Sequence, residues 1–240
     1  PMKPSVIGND QNYIEMGEDI SCNLGSTNIV NLMEQKDHHF GRSIRTMVRA
    51  LTFVTDTSNI DTVPTVVNGN NKNHTIGLGA MGLHAFLAKN HIQYESAEAV
   101  EFTSVYFYLL RYHAMVESMM IATERGESFA SFKQSKYYTG EFFDKYIERD
   151  FSPKLPKVKE LFKGIPIPCR DEWKMLKNAV HDRGLYHMEL LAVAPTGSIS
   201  YVNETTSSIH PIIQRIEERQ EKKTGTTYYP AAYLSEYTMP

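Results

Sequence analysis

The stretch LLAVAPTGSISYVNETTSSIHP, residues 190–211, decides how the chain is read. A short apolar run, MELLAVA, suits a buried strand, and Pro195 ends any ladder that strand could make. Gly197 then lets the main chain turn sharply and expose N–H groups, while Thr196, Ser198 and Ser200 add neutral donors. The hydroxyl theme repeats at Thr205, Thr206, Ser207 and Ser208. A strand-to-helix corner of this make-up can hold a phosphate or diphosphate without lysine. The same residue types also cap turns and helix starts, so a capped turn and an anion cradle stand side by side. The Walker pattern G-x-x-x-x-G-K-[ST] is absent, which excludes an ordinary NTPase loop.

Working outward, the chain has 240 residues, 41% of them hydrophobic and 22% charged, enough for a substantial core and too apolar for disorder. No long linker divides it, which points to one domain. The formal net charge of −3 gives no general footprint for nucleic acid, and no direct DNA binding is expected. No apolar run approaches the roughly 20 residues of a membrane span, and no signal peptide opens the chain, so a cytoplasmic protein is expected. The chain begins at Pro1 and ends in YLSEYTMP, which reads as part of something longer.

Residues 1–18 read as a loop, and DISCNLGSTNIVNLM as a strand-like piece broken by Gly25. From Ser43, the spacing of Ile44, Met47, Val48, Leu51 and Val54 or Thr55 predicts an amphipathic helix, with Arg42, Arg45 and Arg49 near its polar side. NGNNKNH reads as a polar loop leading into a helical TIGLGAMGLHAFLAKN. Ser96 as N-cap, Glu98 in the first turn and Gly126 as stop bound the longest helix, apolar enough to be buried on more than one side. Residues 128–151 form an aromatic block of short helices and turns. Pro153, Pro156, Pro166 and Pro168 bracket irregular chain, and a helix runs from about Asp171 to Gly184. Scattered strands among helices predict α/β or α+β architecture.

Gly77, Gly79 and Gly82 match G-x-G-x-x-G, but NGNNKNHT precedes them in place of a buried strand, so a dinucleotide dehydrogenase is disfavoured. Small residues that let a helix start pack closely explain them better. His38 and His39 are adjacent and point to different faces, and no His/carboxylate cluster appears, so no metal is expected. His210 beside the hydroxyl-rich segment reads as a capping residue or a loop hydrogen bond. Cys22 and Cys169 are too few for a secreted disulfide framework. Cys22, among small and polar residues, reads either as a structural thiol or as a redox thiol with its partner elsewhere.

DISCNLGSTNIVNLM, IGLGAMGLHAFLAKNHI, GESFASFKQSKYYTGEFFDKY, APTGSISYVNETTSSIHPI and KTGTTYYP together resemble the large (alpha) subunit of class Ib aerobic ribonucleotide reductases. The blocks stand in the family's order from about residue 19 to residue 230. The resemblance implies a part of a ten-stranded, helix-rich α/β barrel, with residues 1–240 forming a partial catalytic domain. It also implies that a thiyl radical on a finger loop abstracts hydrogen from the ribose of a ribonucleoside diphosphate, and that a cysteine pair then supplies the reducing equivalents. Cys22 matches the second cysteine of that pair. Pro195, Thr196, Gly197, Ser198 and Ile199 match the substrate-diphosphate segment, with Ser200 in support.

The finger loop, the N-terminal region with the first redox cysteine and the effector sites for ATP and dNTPs, and the C-terminal tail have no counterpart here. The implied partners are a small (beta) subunit whose dimetal-tyrosyl centre supplies the radical, and a glutaredoxin-like or thioredoxin-type reductant. A second alpha subunit or a complementary chain completes the set. No cofactor is expected on this segment itself. Tyr228 and Tyr229 do not match the family's radical-path tyrosines, and Cys169 matches no redox position. A reductase segment is therefore expected to act only with the missing parts. The competing class is an inactive nucleotide-binding or interaction remnant of an interrupted reductase gene.

Overall fold

The computed structural model describes residues 3–58, 61–221 and 225–230. Strands β1 (Val6–Ile7) and β2 (Tyr13–Glu15) form a small antiparallel hairpin where a loop is expected. Strand β3 (Asn23–Asn28) runs straight through Gly25, which does not break it, and leads into helix α1 (Ile29–Met33). Helix α2 (His38–Thr57) begins before the expected Ser43 and buries Phe40, Ile44, Val48, Leu51 and Thr55. Val54, one of the two residues offered for that stripe, is exposed, so Thr55 carries its last turn.

Two expectations fail between residues 64 and 81. NGNNKN is no loop but the end of helix α3 (Pro64–Asn73), which opens on a proline at its first position. It docks on the chain before β3: Asn68 Nδ2 donates to the Gly17 carbonyl at 2.8 Å, and Lys72 meets Glu18 at 2.9 Å. The first half of TIGLGAMGLHAFLAKN is not helical. It forms strand β4 (Ile76–Met81), buried at every position, and Gly82 in the left-handed region turns the chain into helix α4 (Leu83–Lys89).

Helix α5 (Ala97–Arg125) follows its signals: Ser96 accepts from the Ala99 N–H and Gly126 closes it with φ +69°. It buries residues around most of its circumference and forms the axis of the core, with Phe102 stacked on Phe86 at 4.5 Å. A 3₁₀ turn (Phe132–Gln134), α6 (Lys136–Thr139) and α7 (Glu141–Glu148) make up the aromatic block. Helix α8 (Pro156–Leu161) supplies order inside the proline-bracketed chain, and α9 (Arg170–Arg183) stops at Gly184. Trp173 of α9 stacks on Tyr146 at 4.1 Å and closes the far side of the core. Helix α10 (Gly197–Val202) precedes the antiparallel pair β5 (Ile216–Glu221) and β6 (Gly225–Pro230). Among the described residues, no helix is long and apolar enough to cross a membrane.

Candidate active site

Strands β3 and β4 are parallel, in register from Asn23 opposite Ile76 to Asn28 opposite Met81. Thr27 fastens the pair to the core, donating to the Gly79 carbonyl at 3.0 Å and standing 2.7 Å from the Tyr106 hydroxyl. On the other side of β4 lies residues 188–192, the chain expected as a buried strand. It forms no regular strand, yet three backbone bonds tie it to β4. Ile76 N–H donates to Glu189 at 3.1 Å, Leu78 N–H to Leu190 at 2.9 Å, and Ala192 N–H to Leu78 at 3.2 Å. β4 is thus flanked by Cys22 and β3 on one side and by the approach to Pro195 on the other.

The glycines of β4 make this closeness possible. Gly77 and Gly79 lie inside the strand without positive φ, so room and not backbone freedom is their purpose. A methyl carbon on Gly77 would stand 2.7 Å from Cys22 Sγ and 2.9 Å from Ala192 Cβ; one on Gly79 would collide with the Ala192 carbonyl oxygen. Gly82, at φ +85°, leaves space filled by Thr205 Oγ1. The motif therefore serves neighbouring protein chain, within a strand and not at a strand-to-helix turn; close packing is the correct reason, but a helix start is not where Gly77 and Gly79 lie.

Cys22 is an exposed, unbridged thiol just before β3. Partial burial pushes its pKa up from the ordinary value, and the Glu189 carboxylate pushes it the same way. Both effects favour the neutral thiol over the thiolate. Glu189 was not visible as a site residue in the sequence, because only the pairing of 188–192 with β4 brings it near Cys22. It also borders a cavity of about 370 Å³ together with Arg111, Tyr137 and Phe142.

At the corner, Pro195, Ser198 and Ile199 are exposed while Thr196 and Ser200 are buried. The left-handed residue is Thr196, at φ 50° and ψ 34°, and not Gly197. That conformation is strained for a β-branched residue, at about 1–3 kcal/mol. A 2.6 Å bond from the Ser208 N–H to Thr196 Oγ1 helps hold it. Ser200 Oγ donates to the Gly197 carbonyl at 2.8 Å and lies 2.9 Å from Ser207 Oγ. Thr196 and Ser200 thus brace the loop from within, and Ser198 is the hydroxyl that faces outward. No side chain caps α10, so the N–H groups of Gly197, Ser198 and Ile199 have no intrahelical acceptor.

The second hydroxyl cluster locks this corner to α4. Thr206 Oγ1 accepts from the Ala85 N–H at 3.2 Å, capping the start of α4, and the Thr206 carbonyl accepts from Gly82 at 2.8 Å. His84, fully buried, accepts from the Ile212 N–H at 2.6 Å, a role its apolar neighbours in the sequence concealed. His210 is exposed, and its backbone N–H donates to the Ser207 carbonyl at 3.2 Å.

Other candidates lie apart from this cluster. Cys169 is exposed at the N-cap of α9, where its N–H donates to the Glu172 carboxylate at 2.8 Å. His38 and His39, expected on different faces, have ring centroids 4.2 Å apart. Among the described residues, no group of three or more His, Cys, Asp or Glu could hold a metal ion. Tyr228 is exposed on β6, and the side chain of Tyr229 lies outside the described part.

Residues 4–238 match the family model described as the barrel domain of ribonucleotide reductase. The chain belongs to the ribonucleotide reductase family. Its helix-rich body with small strand pairs is accordingly part of that family's α/β barrel. It is 47% identical over 221 residues to the ribonucleoside-diphosphate reductase subunit alpha of Bacillus subtilis (strain 168), covering 92% of this chain and 31% of that protein. The subunit alpha of Mycoplasma pneumoniae is 42% identical over 245 residues, covering 100% of this chain and 34% of that protein. That of Chlamydia trachomatis serovar D is 33% identical over 224 residues, covering 90% and 20%. The chain thus spans about a third or less of these curated relatives.

Proposed function

We propose that this chain is the part of a class Ib ribonucleoside-diphosphate reductase alpha subunit that holds the substrate's diphosphate and supplies one of the two reducing thiols. The observation that carries the reading is the convergence on β4. Cys22 Sγ packs over Gly77 from one side, and the chain leading directly into Pro195–Ile199 packs over Gly77 and Gly79 from the other.

In this reading the outward N–H groups of Gly197, Ser198 and Ile199, with the Ser198 hydroxyl, bind the diphosphate oxygens as neutral donors. Anchoring the phosphate end orients the ribose relative to Cys22, which converts an encounter into a positioned reaction. The radical, once supplied from the small subunit, activates the ribose. The part played by Cys22 is to give up hydrogen: two thiols are oxidised to a disulfide, the 2′ hydroxyl leaves as water, and the product is the deoxyribonucleoside diphosphate. A thiol whose proton is retained by burial and by Glu189 fits that role. Turnover then requires a dithiol reductant of the glutaredoxin or thioredoxin class to reopen the disulfide. The small subunit, a further alpha chain and effector nucleotides act through segments beyond this one.

The test is Cys22→Ser in the alpha subunit carrying this chain, assayed with its small subunit and a dithiol. Multiple-turnover formation of deoxynucleotide should be lost while diphosphate binding persists. A Cys22→Ser enzyme with parental turnover would defeat the assignment and favour an inactive remnant, in which the cysteine matters for packing alone.

A further inference from the structure

The geometry points to Gly77 as a positioning residue for the Cys22 thiol: the missing side chain of this strand residue is the seat in which the sulfur rests. This rests on the reading of Cys22 as a reducing thiol. The sequence singles out Gly77 within a G-x-G-x-x-G motif, yet no dinucleotide turn uses it and its φ is not positive. What a side chain there would meet is specific. A methyl carbon would stand 2.7 Å from Cys22 Sγ, 2.6 Å from Leu24 Cδ2 and 2.9 Å from Ala192 Cβ.

The three neighbours do not yield equally. Leu24 is exposed, and its methyl end can swing away. Ala192 cannot retreat easily, because its N–H is bonded to Leu78 at 3.2 Å and its carbonyl oxygen lies close over Gly79. The sulfur is therefore the atom that must move. From 2.7 Å to an ordinary contact of about 3.5 Å it shifts by close to 1 Å. Misplacement of a reacting group on that scale costs about 100-fold in rate. The phosphate corner is tied to the far end of β4 and to α4 as well, through the Gly82 N–H bond to the Thr206 carbonyl and the Ala85 N–H bond to Thr206 Oγ1, and the substitution leaves those bonds in place. Gly77 thus governs the thiol end of the site independently of the phosphate end.

The experiment is Gly77→Ala in the alpha subunit with its small subunit, alongside Cys22→Ser and the relief variant Gly77→Ala/Leu24→Ala/Ala192→Gly. Steady-state kcat and KM are measured, together with the rate at which iodoacetamide labels the Cys22 peptide, read by mass spectrometry. Gly77→Ala should lower kcat by about 100-fold, leave KM for the diphosphate unchanged, and change the labelling rate of Cys22. The relief variant removes the Leu24 and Ala192 contacts and leaves the sulfur contact, so it should remain slow. Parental kcat and labelling in Gly77→Ala, a rise in KM without loss of kcat, or full recovery in the relief variant would each overturn the inference. If Cys22→Ser itself keeps turning over, the reading of Cys22 has failed. If Cys22→Ser is inactive and Gly77→Ala behaves as the parent, only the seat has failed.

Discussion

Acidification from pH 7 to pH 5 should destabilise this chain through two histidines that burial keeps neutral. His187 is fully buried on the approach to the candidate site. Thr52 Oγ1 donates to the Val48 carbonyl, so at 2.9 Å from His187 Nε2 it is placed to accept; Ser118 Oγ stands 2.9 Å from Nδ1. This network assigns the proton to Nε2. Burial lowers the His187 pKa from 6.5 to about 3, with the charges of His74 and Arg125 acting in the same direction. Burial also lowers His113 to about 4, assisted by Arg45.

The sign follows from proton counting. Between the unfolded value of 6.5 and these folded values the unfolded chain binds more protons, so stability is complete above 6.5 and is lost as the pH falls. At pH 5 an unfolded histidine is protonated about 30 to 1 and the folded one is not, which amounts to about 2 kcal/mol for each residue, or about 4 kcal/mol for both. His74, lowered mainly by burial, adds in the same sense. Carboxylates titrate mostly below this window. Urea unfolding at pH 7 and pH 5 measures the loss, and His187→Gln should roughly halve it. A His187→Gln chain that loses as much stability as the parent over this range would refute the argument.

Three further outcomes are expected. Thr206→Val removes the acceptor of the Ala85 N–H, so α4 should lose about 1 kcal/mol and hydrogen exchange at Leu83–Ala85 should accelerate. Glu117→Ala removes the buried carboxylate that pairs with Arg49; because Arg49 is half exposed and keeps Glu124, the loss should be about 2 kcal/mol in urea midpoints and not the full cost of a buried pair. If residues 195–199 hold the diphosphate through neutral donors, KM should change little between low and high salt, since no lysine or arginine stands within 190–211; a steep salt dependence would place cationic side chains at the phosphates.

The long helices were legible because their signals are local. Ser96 and Gly126 bound α5 as a cap and a left-handed stop, and the apolar repeat of α2 needs no knowledge of its partners. α3 was illegible for the opposite reason. NGNNKN has poor intrinsic helix propensity, and its helix is supported by contacts to residues 17 and 18 that lie far away in sequence. In β4, glycine spacing conceals a strand, because the residues that need the space are Cys22 and Ala192. The apolar run before Pro195 announces a strand, and it does run beside β4, but only three bonds form. At the site, Cys22 and the 195–199 corner were readable as residues, whereas the nearness of Glu189 to Cys22, the bond His84 accepts from Ile212 and the left-handed backbone of Thr196 came only with tertiary placement.

The abundance of hydroxyls in 196–208 follows from a division of labour that one turn could not explain. A loop that presents bare N–H groups cannot also be held by them, so its rigidity must come from side chains directed the other way. Thr196 and Ser200 supply that bracing from inside the corner, and Ser207 and Ser208 complete it from the next turn. Thr206 then fastens the assembly to α4, which follows directly from β4 and so from the strand beside Cys22. Fixing the corner and the thiol to one strand makes their separation a property of β4. If the corner holds the diphosphate as proposed, flexibility at either end would appear as lost orientation of the nucleotide. The outward face can then remain small and uncharged, with Pro195, Ser198 and Ile199 exposed over the buried Thr196 and Ser200.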